Sequence, residues 1–199
     1  MADCGPVYPN NYQCNYMFTT AQTPPFNIPA ILNKLGLSEK QQAAELGCGN
    51  FGFFVFPMAR LVGRSGRVYA VDIIKASLEE IKNRAIRENL PQISVVWSNL
   101  EIFKAAKIET NSLDSALLVN VLYQSDKKIE IIREAVRLLK RNGKLLIVEW
   151  KNISLPLGPA PENRVNQEAL KAAAPRLGLV LKEEFSAGPY HYGLILTKI

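Results

Sequence analysis

Apolar residues recur along this chain in two alternating patterns: short continuous runs, and runs in which they are spaced three or four residues apart. Short apolar runs between turn residues are typical of buried strands, whereas the wider spacing is typical of amphipathic helices. The short runs predict strands at Gln41–Leu46, Arg67–Ile73, Ser94–Asn99, Leu113–Leu122, Lys144–Trp150, Leu179–Phe185 and Tyr192–Ile199.

The wider spacing predicts a helix between most of these strands, and local capping residues mark several helix ends. Pro57 is compatible with the second of these helices only in its first turn, where backbone N–H groups lack partners. The first two predicted helices are Ile28–Leu37, ended by Gly36, and Phe53–Val62. A third is opened or reinforced by Ser77-x-x-Glu80 and has Leu78, Ile81 and Ala85 on one face. A fourth is capped by Ser125 or Asp126, has a buried stripe of Ile129, Ile132, Val136 and Leu139 and ends at Asn142-Gly143, and a fifth runs from Asn166 to Leu177, before Gly178.

Strands that alternate with helices predict an α/β fold, a Rossmann-like doubly wound sheet with helices on both faces. The last two strands are joined by a short turn at Gly188-Pro189, which requires an antiparallel pair. The sheet is therefore expected to be mostly parallel with an antiparallel last strand, in one domain over residues 28–199. Residues 1–27 contain four prolines and no periodic pattern, and are expected to form an irregular N-terminal arm.

A glycine-rich turn, Gly47-x-Gly49-x-x-Gly52, follows the first strand and precedes a helix. Glycines allow a sharp turn and a close approach of backbone to ligand, and the helix N-terminus points free N–H groups at the same space. This spacing, with Asp72 further along, also fits a dinucleotide-binding fingerprint. Glu45, at the tip of the strand, would repel a pyrophosphate but suits a cationic ammonium group. The turn is therefore predicted to bind a cofactor with a cationic end.

With Glu45-Leu46-Gly47-Cys48-Gly49-Asn50-Phe51-Gly52, the chain resembles the class I S-adenosylmethionine-dependent methyltransferases, whose first motif reads acidic-x-Gly-x-Gly-x-Gly. The stretch NVLYQSDKKIEIIREAVRLLKRNGKLLIVEWK and the ending GPYHYGLILTK resemble the later motifs of the type 11 methyltransferases similar to the ubiquinone and menaquinone biosynthesis enzymes. The resemblance covers residues 28–199 and implies S-adenosyl-L-methionine as cofactor.

Ligands of open α/β sheets bind outside the carboxyl ends of the strands, and the resemblance assigns roles to residues there. It implies that Glu45 holds the methionine ammonium, that Asp72 holds the ribose hydroxyls and that the Asn120 carbonyl helps to hold the methionine end. Many relatives carry an acidic residue near the adenine, where this chain has Ser98-Asn99. The complete expected cofactor site is Glu45, Gly47, Cys48, Gly49, Asp72, Ser98, Asn99, Leu100 and Asn120.

Methyl transfer needs a general base only if the acceptor must lose a proton. His191, the sole histidine, is one candidate, and its alternative is a structural or surface role. Glu149, at a strand end, is the other, and its alternative is a salt bridge. Cys48 is interpreted as a small apolar filler. We expect the residue 1–27 arm and the proline-rich loop of residues 152–165 to cover the site.

Three function classes remain open from the sequence: methyl transfer to a small molecule, an NAD(P)-dependent oxidoreductase, and a non-catalytic nucleoside-cofactor-binding domain. Asn120-Val121-Leu122-Tyr123 lacks the paired prolines of the Asn-Pro-Pro-Tyr signature, which disfavours methylation of the adenine amino group. Neither the acceptor nor the oligomeric state can be read from these residues.

The charge of the chain changes this interpretation little. The net charge is +6, but its basic residues alternate with acidic ones on predicted helix faces, so no nucleic-acid partner is expected. No apolar run approaches the length of a membrane span. Three cysteines (Cys4, Cys14 and Cys48) without metal-ligand spacing favour a reducing compartment, the cytoplasm, and no metal site.

Overall fold

The computed structural model describes residues 26–154 and 158–199. Within these residues the chain forms one seven-stranded sheet with helices packed against it. The strands are β1 (Gln42–Leu46), β2 (Arg67–Asp72), β3 (Ile93–Trp97), β4 (Leu113–Val119), β5 (Leu139–Trp150), β6 (Leu179–Ser186) and β7 (His191–Lys198). The α-helices are α1 (Ile28–Leu35), α2 (Val55–Val62), α3 (Lys75–Arg87), α4 (Lys128–Leu138) and α5 (Gln167–Ala173), with short 3-10 helices at Leu122–Gln124, Pro161–Asn163 and Ala174–Leu177.

The strands are arranged in the order β3-β2-β1-β4-β5-β7-β6. The first five pair in parallel, whereas β7 pairs antiparallel with β5 on one side and with β6 on the other. This confirms the predicted mostly parallel, doubly wound sheet with an antiparallel last strand. The position of β7 between β5 and β6 had not been predicted, because the chain pattern reports neighbours in sequence and not in the sheet.

Two apolar cores lie on opposite faces of the sheet. The apolar faces of α1, α2 and α3 form one, and those of α4 and α5 form the other. Successive residues of the central strands alternate between them: Leu117 of β4 belongs to the first core, whereas Ala116 and Leu118 belong to the second. Because both faces are covered, the parallel strands are nearly continuous in apolar residues.

Several helix ends follow the local chemistry that predicted them. Gly36 ends α1 in the left-handed conformation, with φ 67°. Asn166 caps α5 by accepting from the N–H of Ala169 at 3.0 Å, and Gly178, with φ 72°, ends the 3-10 turn that follows. Pro57 is the third residue of α2, within the first turn as required.

The predicted capping box at Ser77 is wrong. Helix α3 begins at Lys75, its N-cap is Ile74, and Ser77 lies inside the helix. The Ser77 hydroxyl donates instead to the Asn50 side chain in the glycine-rich turn. The predicted buried face of α3 is correct, because Leu78, Ile81 and Ala85 are all buried.

Helix α4 also differs from its prediction. Ser125 accepts from the Lys127 N–H at 2.9 Å, yet Lys127 itself is the N-cap and has no side-chain hydrogen bond there. Ile129 is exposed, and the buried face instead includes Glu134, whose carboxylate is paired with Arg137 at 2.8 Å. The helix ends at Leu138 and not at Asn142-Gly143, because β5 already begins at Leu139.

Candidate cofactor site and the residues around it

The glycine-rich turn lies at the carboxyl end of β1, in the middle of the sheet. The N–H groups of Gly47 and Cys48 donate to the Val71 carbonyl of β2 at 2.7 and 3.0 Å, so the turn is fixed to its neighbouring strand. Gly47, Gly49 and Gly52 have φ values of 83°, 58° and 52°. Side chains rarely adopt this left-handed conformation, which explains the use of glycine at these positions.

Gly47 leaves room for a protein side chain. A Cβ built on Gly47 would lie 2.5 Å from Cγ2 of Val121, in the loop that follows β4. The missing side chain therefore allows the glycine-rich turn to pack against this loop. The close approach of Gly47 to a ligand stays a prediction.

Asp72 ends β2 with a buried carboxylate that is bonded on both oxygens. Oδ2 accepts from the N–H of Gly49 and Oδ1 from the N–H of Ile74, each at 2.8 Å. A carboxylate oxygen can accept more than one hydrogen bond. Asp72 can therefore hold the glycine-rich turn and still accept from a ribose hydroxyl, and the ribose role stays a prediction.

Glu45 is engaged with the helix that follows the turn. Its Oε2 accepts from the N–H groups of Phe54 and Val55 at 3.2 and 2.9 Å, which satisfies donors at the start of α2. Burial raises the pKa of Glu45 to about 8, although these two N–H groups act in the opposite direction. This helix contact was not predicted from the sequence, although a carboxylate shortly before a helix start is a signal for it. Its contact with a methionine ammonium stays a prediction.

The residues after β3 present one unsatisfied hydroxyl. The backbone N–H of Ser98 donates to the Asp72 carbonyl at 3.0 Å, which places Ser98 beside the end of β2. Its Oγ is buried and has no hydrogen-bond partner among the described residues. Asn99 Oδ1 already accepts from the Glu101 N–H at 2.9 Å, and Leu100 is buried in the core. Of Ser98 and Asn99, which the resemblance places near the adenine, Ser98 therefore has the buried oxygen that can take a new partner.

Asn120, after β4, has its unsatisfied acceptor on the side chain. Its backbone carbonyl, which the family resemblance assigned to the methionine end, accepts from Gln124 Nε2 at 2.6 Å. Its Oδ1 is buried and finds no hydrogen-bond partner in residues 26–154 and 158–199, and its φ of 56° turns the chain sharply at the strand end. The side-chain oxygen is thus better placed than the carbonyl to take a new donor.

Glu149 lies at the end of β5 and is fully buried. Oε1 accepts from the Leu122 N–H at 2.6 Å, and Oε2 has no hydrogen-bond partner within the part of the chain that the structure describes. The salt bridge considered as its alternative is therefore wrong. Burial raises the pKa of Glu149 to about 8, against the opposing effect of backbone N–H groups that include that of Leu122.

His191, at the start of β7, is fully buried, which excludes a surface role. Its ring lies 4.2 Å from that of Trp150 and 5.3 Å from that of Phe26, between ring centroids, and neither nitrogen has a hydrogen-bond partner among the described residues. Burial, together with the charge of the nearby Lys151, lowers the pKa of His191 to about 4. The directly opposed pairs are Glu149–Tyr192 and Trp150–His191. Adjacent residues of a strand face opposite sides, so Glu149 and His191 do not act on one group.

Cys48 is buried in the core beside the turn, and burial raises the pKa of its thiol. This agrees with a filler and not with a nucleophile. Cys4 and Cys14 lie outside the described residues, as does the arm up to residue 25. Within residues 26–154 and 158–199, no group of three or more His, Cys, Asp or Glu side chains could hold a metal ion.

The proline-rich loop after β5 packs beside His191. A Cβ on Gly158 would lie 2.8 Å from the Trp150 ring. Arg164 holds the loop by donating to the carbonyls of Pro159, Lys151 and Ile153. A neighbouring cleft of about 560 Å³ is lined by Ile153, Val165, Phe185 and Tyr192, among others. The described parts of this loop therefore lie beside the end of β5 and the start of β7. The expected role of the loop as a cover stays a prediction.

Comparison with known proteins shows which family the chain belongs to. A family model described as a methyltransferase domain matches residues 37–182. The chain belongs to this methyltransferase-domain family. The resemblance inferred from the glycine-rich turn is thereby confirmed, and the oxidoreductase with the same glycine spacing is not favoured.

Individual relatives agree with the family match. The chain is 28% identical over 162 residues to the ubiquinone/menaquinone biosynthesis C-methyltransferase of Cronobacter sakazakii, covering 79% of this chain and 59% of the relative. It is 28% identical over 144 residues to the 2-phytyl-1,4-naphtoquinone methyltransferase of Nostoc punctiforme, covering 72% and 60%. The chain thus spans about three fifths of the length of these two relatives.

A solved structure shows the same fold. A SAM-dependent methyltransferase from Aquifex aeolicus superposes with a TM-score of 0.79 at 20% identity, covering 88% of this chain and 91% of that protein. No helix within the described residues is long and apolar enough to cross a membrane.

Proposed function

We propose that this protein transfers a methyl group from S-adenosylmethionine to a small-molecule acceptor. The observation that carries the proposal is the order of the strand ends. The carboxyl ends of β3, β2, β1 and β4 are consecutive neighbours in the sheet. They carry, in this order, Ser98, Asp72, the glycine-rich turn and Asn120. Neighbouring strands lie about 4.8 Å apart, so these groups span roughly 14 Å. An extended nucleoside with an amino-acid end fits along such a row.

The unsatisfied atoms of this row match the polar ends of that cofactor. Asp72 would accept from the ribose, and Ser98 Oγ is free to bond the adenine. Asn120 Oδ1, an acceptor without a partner, would take a donor from the methionine end. Buried acceptors without partners are costly, which is why such atoms in a native fold point to a ligand.

When bound, the cofactor supplies a methyl group already activated by its positive sulfur. The chain has to align the acceptor and exclude water, an effect that can amount to about 7–11 kcal/mol. If the acceptor must lose a proton, Glu149 is the better candidate base, because one of its oxygens has no partner and its pKa is raised to about 8. His191 binds protons too weakly in this environment to be preferred.

We further propose that the protein is cytoplasmic and that its acceptor is a small molecule and not a nucleic acid. The two relatives carry quinone-biosynthesis names, and a reduced quinone or phenol ring is therefore the first acceptor class to test. Thiol and metalloid acceptors belong in the same panel.

Calorimetric titration of the full chain with S-adenosylhomocysteine and, separately, with NAD(P) tests the cofactor. Heat with the first ligand alone is expected; binding of NAD(P) alone would contradict the proposal. Transfer of labelled methyl from S-adenosylmethionine to an acceptor panel then tests turnover. Tight cofactor binding without transfer to any acceptor class would favour the non-catalytic alternative.

A further inference from the structure

Large apolar side chains are exposed at one corner of the sheet, beyond the proposed cofactor row. Trp97 is 55% exposed, Ile102 56%, Phe103 51% and Ile74 47%. Exposed apolar groups that are scattered singly need no explanation, but four large ones that follow or end two neighbouring strands indicate an interaction surface. All four residues follow or end β2 and β3, the outer strands at this side of the sheet.

Ordered backbone presents these side chains. Trp97 is the last residue of β3, opposite Asp72 in the sheet, and its indole N–H donates to the Ile73 carbonyl at 2.8 Å. The turn that follows is closed by the Ile102 N–H on the Asn99 carbonyl at 3.2 Å. It is also fixed to α4, because the Lys104 N–H donates to Glu134 at 2.9 Å. Hydrogen bonds thus fix the backbone that carries these exposed apolar side chains.

Lysines accompany the exposed rings. The ammonium of Lys75 lies 5.2 Å from the centroid of the Trp97 ring, and that of Lys104 lies 5.8 Å from the Phe103 ring. Glu101, the acid inside this segment, is bonded by the Ser125 hydroxyl and lies 3.8 Å from Lys127. Its charge is therefore offset within the protein, and the corner keeps an excess of positive charge.

We propose that this corner surface, defined as Ile74, Lys75, Trp97, Ile102, Phe103 and Lys104, docks the protein on an anionic lipid bilayer. Tryptophan and phenylalanine rings favour the boundary between headgroups and acyl chains, and lysines beside them bind acidic lipids. A protein partner fits less well, because lysine is depleted in the cores of protein interfaces. The docking requires no methyl transfer and goes beyond the proposed function.

Co-sedimentation of the full chain with phosphatidylcholine vesicles, with and without phosphatidylglycerol, tests the proposal. We expect binding only to the anionic vesicles, and weaker binding as salt is added. The chain has two tryptophans, of which Trp150 is buried. A blue shift of emission on binding that is absent in Trp97→Phe would place Trp97 in the lipid.

Two variants separate charge from apolar contact. Lys75→Gln with Lys104→Gln should weaken partition to anionic vesicles about 25-fold, since each lysine accounts for about a fivefold change. Ile102→Ser with Phe103→Ser should abolish the binding. The matched control, Lys82→Gln with Ile86→Ser, removes an exposed lysine and an exposed isoleucine from α3 away from the corner and should bind as the unmodified chain does.

Absence of vesicle binding, or equal binding by the corner variants and the control, would overturn the proposal. A change of oligomeric state in the corner variants without lipid would assign the surface to a protein contact and overturn it as well. Thermal melts show that each variant folds. S-adenosylhomocysteine titration of the same variants reports on the proposed function separately, so that the two ideas can fail independently.

Discussion

The carboxylate of Asp72 accepts a hydrogen bond from the backbone N–H of Gly49 at 2.8 Å, so that an acid at the end of β2 holds the turn at the end of β1. Its other oxygen accepts from Ile74, just before α3. One side chain therefore organises two loops, and its binding of the ribose stays a prediction. Substitutions at Asp72 should affect both the fold and the binding of the cofactor, by amounts that can be separated.

Asp72→Asn is expected to weaken S-adenosylhomocysteine binding about tenfold or more, because a hydrogen bond to a charged group contributes about 1.5–3 kcal/mol. Asp72→Ala should in addition lower the melting temperature, because it leaves the Gly49 and Ile74 N–H groups without their acceptor. Calorimetric titration and thermal melts measure the two effects. The control is Asp114→Asn, which changes a carboxylate near the amino end of β4, whereas Asp72 lies at the carboxyl end of β2. An unchanged dissociation constant in Asp72→Asn would remove Asp72 from the site.

Gly47→Ala is expected to destabilise the fold by roughly 2–5 kcal/mol. The left-handed backbone costs an L-residue about 1–2 kcal/mol, and the new Cβ meets Val121 at 2.5 Å, an overpacking effect of about 1–3 kcal/mol. Adding Val121→Ala should recover the steric part and leave the backbone part. Urea unfolding of both single variants and the double variant measures this coupling. Additive effects would show that Gly47 and Val121 do not contact each other.

The parts of the fold that local chemistry controls could be predicted from the sequence. Gly36, Asn166 and Gly178 end or begin helices as expected, since the capping residue carries its own conformational preference. The inward face of α4 could not be predicted, because it depends on a buried Glu134–Arg137 pair that a hydrophobic pattern counts as polar. The position of β7 inside the sheet likewise depends on contacts between distant segments.

In the candidate site, too, some features could be predicted from the sequence and others could not. The residue types at the strand ends were predicted from motif and spacing, but their partners were not. Gly47 approaches Val121, Glu45 bonds the start of α2, and Asn120 keeps its side-chain oxygen free while Gln124 occupies its carbonyl. The Gly47–Val121 contact joins segments that meet only in the folded sheet, and the other two depend on how the chain turns after β1 and after β4.

Glu149→Gln is expected to stabilise the protein at alkaline pH. A carboxyl whose folded pKa is raised to about 8 stays protonated in the fold after the unfolded chain has lost its proton, so stability falls as the pH rises from about 4.5 through 8. Glutamine removes this loss and can still accept from the Leu122 N–H. Urea unfolding across this range should give a shallower slope for the variant. Parallel curves would mean that Glu149 is charged in the fold at neutral pH.

His191→Leu is expected to flatten the acid side of the stability profile. The unfolded chain takes up a proton at this histidine near pH 6.5, whereas burial holds the folded pKa at about 4, so stability is lost as the pH falls between these values. The slope of the free energy of unfolding against pH is compared, and not its absolute value, because leucine also changes the packing against Trp150 and Phe26. A histidine resonance that titrates near pH 6.5 in the folded protein would contradict this.

The insertion of β7 between β5 and β6 has a consequence for how the chain folds during synthesis. In the sheet, β6 hydrogen-bonds to β7 alone, and β7 joins it to β5. As the chain leaves the ribosome, β6 therefore emerges before its sheet partner exists, while β1 to β5 can already pair with one another. Completion of the sheet must wait for residues 191–198, and a nascent chain stalled before them would expose the open edge of β5, which is a site for unwanted strand pairing.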